Sequence, residues 1–222
     1  KNIMLKIGVI GAGHLGKFHL NNWAEIEGVQ LIGFCDTDDA NAKLVSEKYN
    51  IPRYTETEKL IDACDALDIV TPTSFHFELC EAAIKKGKHV FVEKPLAVNG
   101  AQLSVISKQL KAESCPLIAV GFNRRFSPLA QQLHASLITR HEPLHAHYRI
   151  NAGYLPLNHW TQDEQLGGGR IIGEACHFID LITFIVGASP VSVSAHALPN
   201  GGKYREDNVS MTFTFPDGSL GV

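Results

Sequence analysis

Gly8-Val9-Ile10-Gly11-Ala12-Gly13-His14-Leu15-Gly16 is the stretch that decides the fold. An apolar run from Leu5 to Ile10 leads into it, and an amphipathic run from Leu15 to Ile26 leads out. Gly11, Gly13 and Gly16 thus form GxGxxG between a strand and a helix. Gly11 permits the tight turn, Gly13 lets a pyrophosphate approach the backbone, and Gly16 lets helix and strand pack closely. The open N–H groups and dipole of the helix start favour an anion. The motif alone is weak, but a second apolar run, Val29 to Cys35, ends in Asp36, twenty residues past Gly16. A carboxylate there suits both ribose hydroxyls of a dinucleotide and repels a 2′-phosphate. Thr37-Asp38-Asp39 follows with no Arg, so NAD is expected over NADP. Ala12, His14 and Leu15 are expected at the cofactor with the three glycines, His14 as a solvated residue near the pyrophosphate.

Outward from this turn the pattern repeats. Helical stretches at Ala40–Tyr49, Phe75–Lys86 and Ala101–Lys111 alternate with strand-like runs at Leu67–Val70, His89–Val92 and Leu117–Val120. Such alternation predicts a doubly wound parallel sheet of the Rossmann type, covered on both faces. Thr55 precedes Glu58 in a capping-box pattern. Gly87 after Lys85-Lys86 reads as a helix stop. Beyond residue 122 the texture changes to α+β. Helices are expected at Phe126–Ile138 and Ile171–Val186, and a strand alternating like an antiparallel one at His145–Asn151. Strands at Val191–Ala197, Asn208–Phe215 and from Leu220 onward follow, the last two joined by the turn Pro216-Asp217-Gly218. Residues 1–122 are therefore expected to form a cofactor-binding domain, and 123–222 a substrate and oligomerisation domain.

The 222 residues suffice for one large or two modest domains. With 45% hydrophobic and 19% charged residues and a net charge of -3, the composition is that of a soluble enzyme without a basic field for nucleic acid. No apolar run approaches the ~18 residues of a membrane helix, and no signal-peptide pattern is present. Lys1-Asn2-Ile3 reads as a tag remnant or trimmed end. The end of the chain just past Leu220, within a strand, suggests truncation. Five cysteines without a CxxC pair read as reduced cytosolic thiols filling the core, with no metal site.

The run Val90-Phe91-Val92 ends in Glu93-Lys94-Pro95, where an open α/β sheet presents its ligand-binding edge. Lys94 there can polarise a carbonyl or hold a hydroxyl, or be an ordinary surface residue. Pro95 fixes the backbone and is compatible with a cis bond.

Taken together, GxGxxG with His19, Thr71-Pro72-Thr73-Ser74-Phe75-His76, Gly87-Lys88-His89-Val90-Phe91-Val92-Glu93-Lys94-Pro95, Gly121-Phe122-Asn123-Arg124-Arg125-Phe126, Gly167-Gly168-Gly169 and His177-Phe178-Ile179-Asp180 resemble the Gfo/Idh/MocA family. The resemblance covers essentially the whole chain. It implies a Rossmann domain followed by an α+β domain with an open, mostly antiparallel sheet that mediates homodimers or homotetramers. It further implies NAD(P)-dependent hydride transfer at a hydroxyl-bearing carbon of a sugar, inositol or other carbohydrate derivative in the cytoplasm, with the active site between the domains.

By that resemblance Lys94 contacts nicotinamide and substrate, and His177 is the general acid/base. Many members place an Asp where Gly173 stands. Glu174, three residues before His177 on a helix, takes its place, or the proton relay differs. Asp180 orients the site or braces a domain interface. Thr71, Pro72, His76, Glu93 and Asn123 are expected along the cofactor, with a solvated helix start the equal alternative for His76. Arg124 binds an anionic substrate group or makes an interdomain salt bridge. Tyr154, His159 and Trp160 offer ring faces to a sugar, or pack on a half-exposed sheet. The competing reading is a non-catalytic NAD-binding sensor or assembly subunit of the same fold.

Overall fold

A computed structural model describes residues 4–111, 114–202, 205 and 207–222. The start at Lys1-Asn2-Ile3, expected to be a remnant or trimmed end, lies outside the described residues. The chain divides into two compact units, Lys1–Gly121 and Phe122–Val222.

The first unit alternates strand and helix as its periodicity dictates: β1 Leu5–Ile10, α1 His14–Glu25, β2 Val29–Cys35, α2 Asp39–Tyr49, α3 Thr57–Ala63, β3 Ala66–Ile69, α4 His76–Lys85, β4 His89–Val92, α5 Gly100–Gln109 and β5 Ile118–Val120. All five strands are parallel, in the order β2-β1-β3-β4-β5. Alternate side chains feed opposite faces. Val9 and Phe34 pack with Leu20, Ala42 and Val45 of α1 and α2. Ile10, Ile69 and Val92 pack on the other face with Leu60, Ile61, Cys80, Ala83, Ile84 and Ile106 of α3, α4 and α5. Cys35, Cys64 and Cys80 are free and buried. Burial pushes all three thiols up, Cys80 to about 12, so they remain protonated filler. Asp38, Asn99 and, in the second unit, Ser127 cap helices with their side chains. Gly87 ends α4 with φ +68° as expected. The Thr55–Glu58 capping box is not formed: Glu56 is the N-cap of α3 and gives no side-chain bond to it, its carboxylate going to Lys59.

The second unit contains α6 Pro128–Leu137, β6 His145–Ala146, α7 Cys176–Val186, β7 Ser192–Ala197, β8 Val209–Thr214 and β9 Leu220–Gly221. β7 and β9 pair antiparallel with β8, giving the order β6-β9-β8-β7. The long antiparallel strand expected over 145–151 is instead two residues pairing parallel with β9. Ile182 and Val186 of α7 seal one sheet face with Phe213 and Phe215. The approach is close: a β-carbon on Gly221 would lie 2.7 Å from Ile182. The helix expected from Ile171 begins as a π-helical turn, Ile171–Ala175, before α7. The helix expected from Phe126 is a short 3-10 segment, Asn123–Phe126, then Ser127 and α6. Among the described residues no helix is long and apolar enough to cross a membrane.

Asp180 of α7 is only 7% exposed. Its two oxygens accept from Arg125 Nε, at 2.6 Å, and from Arg125 Nη2. Both residues belong to the second unit, so the pair braces that unit internally. Arg125→Ala strands a buried carboxylate and is expected to lower the unfolding free energy by about 2 kcal/mol, Asp180→Asn by less. Urea midpoints compare the three proteins, and coincident curves would refute the brace.

Candidate nucleotide-binding and catalytic residues

β1 and β3 are neighbours in the sheet, and their carboxyl ends lie where the strand order reverses. In open α/β sheets ligands bind at such a point. The turn after β1 is shaped by backbone crowding. Gly11 has φ +92°, and a β-carbon on it would lie 2.6 Å from the Val70 carbonyl oxygen. A β-carbon on Gly16 would lie 2.0 Å from the Gly11 oxygen. Gly13, the N-cap of α1, is the opposite case: nothing lies within 4 Å of its missing β-carbon, and no side chain caps the helix. The first intrahelical bond runs from Lys17 N–H to the Gly13 oxygen, so the amides ahead of it have no acceptor within the helix. That is the cradle a pyrophosphate requires, and these residues fit a dinucleotide. Ala12 is buried, while His14 and Leu15 are exposed, His14 set edge-on to Phe18.

Asp36 follows β2 directly. Its Oδ2 accepts from Ala12 N–H at 2.7 Å and its Oδ1 from Asp38 N–H at 2.8 Å. The carboxylate is thereby fixed beside the glycine turn with lone pairs remaining for hydroxyl donors. No arginine follows Asp36 in the sequence, but one from further along the chain reaches its main-chain oxygen. A chain segment running alongside β2 brings Arg53 Nη2 to the Asp36 carbonyl at 2.8 Å and Nη1 to Asp39 at 2.6 Å.

Glu93 and Lys94 leave the end of β4, and the Lys94–Pro95 bond is cis. Beneath them lies a polar cluster in the apolar sheet. Asp68, the one charged residue of β3, is fully buried. It accepts from Trp23 Nε1 at 2.6 Å and faces His19 Nδ1 at 2.9 Å. His19 Nε2 lies 3.4 Å from Glu93 Oε1. Burial pulls the His19 pKa down, but bonding to Asp68 and Glu93 overrides it and raises it to about 9. Burial likewise pushes Glu93 up, and its bond to His19 brings it below the ordinary carboxylate range. Sequence reasoning noted His19 without a role and missed Asp68. The available signal was an acid inside a buried strand, which must find a partner.

Thr71 is half-buried and Pro72 exposed, beside the Gly11 turn. His76 is not a solvated helix start: it is 1% exposed, with Nδ1 2.7 Å from the Pro95 oxygen and Nε2 2.8 Å from the Thr71 oxygen. Its ring braces both turns, and any influence on a cofactor passes through them.

In the second unit, Asn123 and Arg124 are exposed on the 3-10 segment, and the Arg124 guanidinium lies 5.0 Å from the Phe178 ring centre. Its neighbour Arg125 makes the ion pair with Asp180 described above, within the same unit. His177 is the second residue of α7, its ring 6.3 Å from that of Phe122. Glu174, expected to face His177, gives its carboxylate to Arg170 at 2.9 Å. It sits in the π turn, where the residue spacing of an α-helical face does not hold. A β-carbon on Gly173 would lie 3.2 Å from the Gly167 oxygen, a tight contact for any side chain there. Tyr154 and Trp160 lie in irregular chain and a short 3-10 segment, not on the sheet. A cleft of about 960 Å³ on this unit gathers Tyr154, Arg170, Glu174, Phe178 and His196, but neither His177 nor Trp160. Among the described residues no group of three or more His, Cys, Asp or Glu gathers as a metal site.

Two measurements test this geometry. Gly16→Ala forces helix and turn apart and is expected to cost at least about 2 kcal/mol of stability and to weaken NADH binding at least tenfold, read by urea unfolding and fluorescence titration. The His19 pKa is raised on folding, so its stabilisation is complete below pH 6.5 and is lost as pH rises through about 9. The loss is up to about 3 kcal/mol. Wild-type urea midpoints should fall across that window, and His19→Gln should flatten the fall. A slope unchanged by the substitution would contradict the assignment.

Residues 5–122 match the family described as an oxidoreductase family with an NAD-binding Rossmann fold, and residues 138–222 match the GFO/IDH/MocA C-terminal domain. The chain is 31% identical to the UDP-N-acetylglucosamine 3-dehydrogenase of Acidithiobacillus ferrooxidans over 87% of its own length and 58% of that protein's. It is 29% identical to the scyllo-inositol 2-dehydrogenase (NAD(+)) of Bacillus subtilis over 98% of its length and 66% of that protein's. A solved structure of the Acidithiobacillus enzyme superposes with a TM-score of 0.81 at 28% identity, covering 99% of this chain and 66% of the other. The chain thus spans 58% and 66% of the lengths of these two curated relatives. With both unit sequences matched and the glycine turn in place, the chain belongs to the Gfo/Idh/MocA oxidoreductase family.

Proposed function

We propose that this chain serves an NAD-dependent dehydrogenase that moves a hydride between the nicotinamide and a hydroxyl-bearing carbon of a sugar, inositol or sugar derivative. The observation that carries this reading is the Gly11–Gly16 turn at the sheet's switch point, with the Asp36 carboxylate bonded to Ala12 N–H at 2.7 Å. In this reading residues 1–122 hold the cofactor and 123–222 serve substrate binding and oligomerisation.

The amides of His14, Leu15 and Gly16 bind the pyrophosphate, and Asp36 binds the ribose hydroxyls. Asp36 also repels a 2′-phosphate, and Arg53 is committed to Asp39 and the Asp36 carbonyl, so NAD is preferred to NADP. Thr71, Pro72, Glu93 and Asn123 border the rest of the cofactor. Bound there, the nicotinamide supplies two-electron hydride chemistry. Lys94 holds the reacting oxygen and stabilises negative charge on it. His177 takes or returns the hydroxyl proton near neutral pH. Arg124, Tyr154 and Trp160 contact the substrate. The names of the relatives direct the choice of substrate towards inositols and nucleotide or phosphate sugars. The chain works in the cytoplasm, consistent with its free thiols, and pairs through its second sheet as a dimer or tetramer.

Gly173 and the Arg170–Glu174 pair favour a second reading, a nucleotide-binding protein without turnover, because the usual acid is missing and its neighbour is committed. Assaying myo-inositol, scyllo-inositol, glucose 6-phosphate and UDP-N-acetylglucosamine with NAD and NADP separates the two. Formation of reduced cofactor with at least one of these, faster with NAD, is expected. Lys94→Ala should lower kcat by roughly 100-fold or more while NADH affinity stays within about twofold. Cofactor binding without turnover on any of these would favour the second reading, and a fully active Lys94→Ala would overturn the assigned role.

A further inference from the structure

The cluster beneath the Glu93–Lys94 turn takes no part in the phosphate and ribose contacts assigned above, yet it reaches the backbone amide of the proposed reactive residue, Lys94. His19 lies in the second turn of α1. Its Nδ1 is 2.9 Å from Asp68 Oδ2, and its Nε2 is 3.4 Å from Glu93 Oε1. Glu93 Oε2 accepts from the Lys94 amide at 3.2 Å. The Glu93 side chain is also hemmed in, since a β-carbon on Gly121 would lie 2.9 Å from its Oε1. A continuous chain of contacts, Asp68 to His19 to Glu93 to Lys94 N–H, therefore runs from the sheet interior to the turn, wholly within the first unit.

We propose that His19 is a positioning residue for the proposed reaction: bridging Asp68 and Glu93, it fixes the Glu93 carboxylate and, through it, the direction in which Lys94 leaves the sheet. The inference rests on the reading of Lys94 as the group that holds the reacting oxygen.

The chemistry of the cluster supports a bridge over a simple packing contact. Asp68 has Trp23 as a second donor, so a histidine serving only Asp68 needs one nitrogen. Here both nitrogens face carboxylates, and a ring can donate to both only as an imidazolium. The charged groups facing it are Asp68 from β3 and Glu93 from the end of β4, while Trp23 of its own helix and Phe91 of β4, with ring centres 5.9 Å apart from His19 to Phe91, contribute none. The raised pKa of His19 keeps that ion in place through neutral pH. A doubly anchored carboxylate leaves the next residue little freedom, and misplacement of a catalytic group by about 1 Å can cost 100-fold in rate.

The test compares the full chain with His19→Gln, Glu93→Gln, the double variant and Lys94→Ala. The probes are NADH and the sugar or inositol most rapidly turned over with NAD. Glutamine offers one donor group and cannot bridge two carboxylates. His19→Gln is expected to lower kcat roughly 10- to 100-fold while KM and the NADH Kd stay within about threefold. Because His19 acts through Glu93, the double variant should be no slower than Glu93→Gln alone. Independently of turnover, ¹⁵N spectra should show both His19 nitrogens protonated at pH 8 in the wild type, and the Lys94 amide peak should move in His19→Gln.

A kcat within twofold of wild type, multiplying losses in the double variant, a neutral wild-type ring at pH 8, or an unmoved Lys94 amide would each overturn the proposal. If His19→Gln fails to fold, Glu93→Gln reads the same link from its other end, with loss of kcat expected and retention overturning it. A fully active Lys94→Ala removes the underlying reading and this one with it. An inactive Lys94→Ala beside an active His19→Gln removes this one alone.

Discussion

The backbone of Gly11 presses against the carbonyl of Val70 with no space for a β-carbon between them. This contact joins the ends of two adjacent parallel strands at the point where the sheet reverses its winding. Everything placed at that edge follows from it. α1 starts at Gly13 with space above its N-cap, Asp36 closes on Ala12 N–H, and the turn at Thr71 runs alongside. A single side chain at Gly11 or Gly16 would spread these elements apart.

The second organising feature is the handling of buried charge. A carboxylate inside an apolar sheet is tolerated only when it is paired and hydrogen-bonded. Asp68 meets that demand with Trp23 and His19, and the unused face of the His19 ring extends the network to Glu93. Asp180 meets it with Arg125 in the second unit. Both pairs tie a helix to a neighbouring segment, so the interactions that make buried acids affordable also fix local geometry. In the first unit that geometry ends at Lys94.

Much of the first unit was legible because its signals are local. Strand periodicity, the glycine spacing and the position of Asp36 are all carried by residues near one another in the chain. What was missed depends on long-range packing. Arg53 reaches Asp36 only because its segment runs alongside β2, and His76 is buried only because the Thr71 and Pro95 turns converge on it. α3 is short and was marked only by a capping pattern that the structure does not use. In the second unit, the alternation over 145–151 reflects one side facing α7, as Ala146 and Tyr148 do, rather than a long ladder. The π turn before α7 has no periodicity of its own, and Glu174 within it pairs with Arg170 four residues earlier.

The most direct measurement is a ¹⁵N-HSQC titration of the chain with NAD. A dinucleotide seated on the glycine turn should move the amide peaks of Ala12, Gly13, His14, Leu15 and Gly16, together with those around Asp36 and Thr71, in a single saturable process. Saturable shifts confined to other residues, with the glycine-turn amides unmoved, would contradict a cofactor site at the Gly11–Val70 contact.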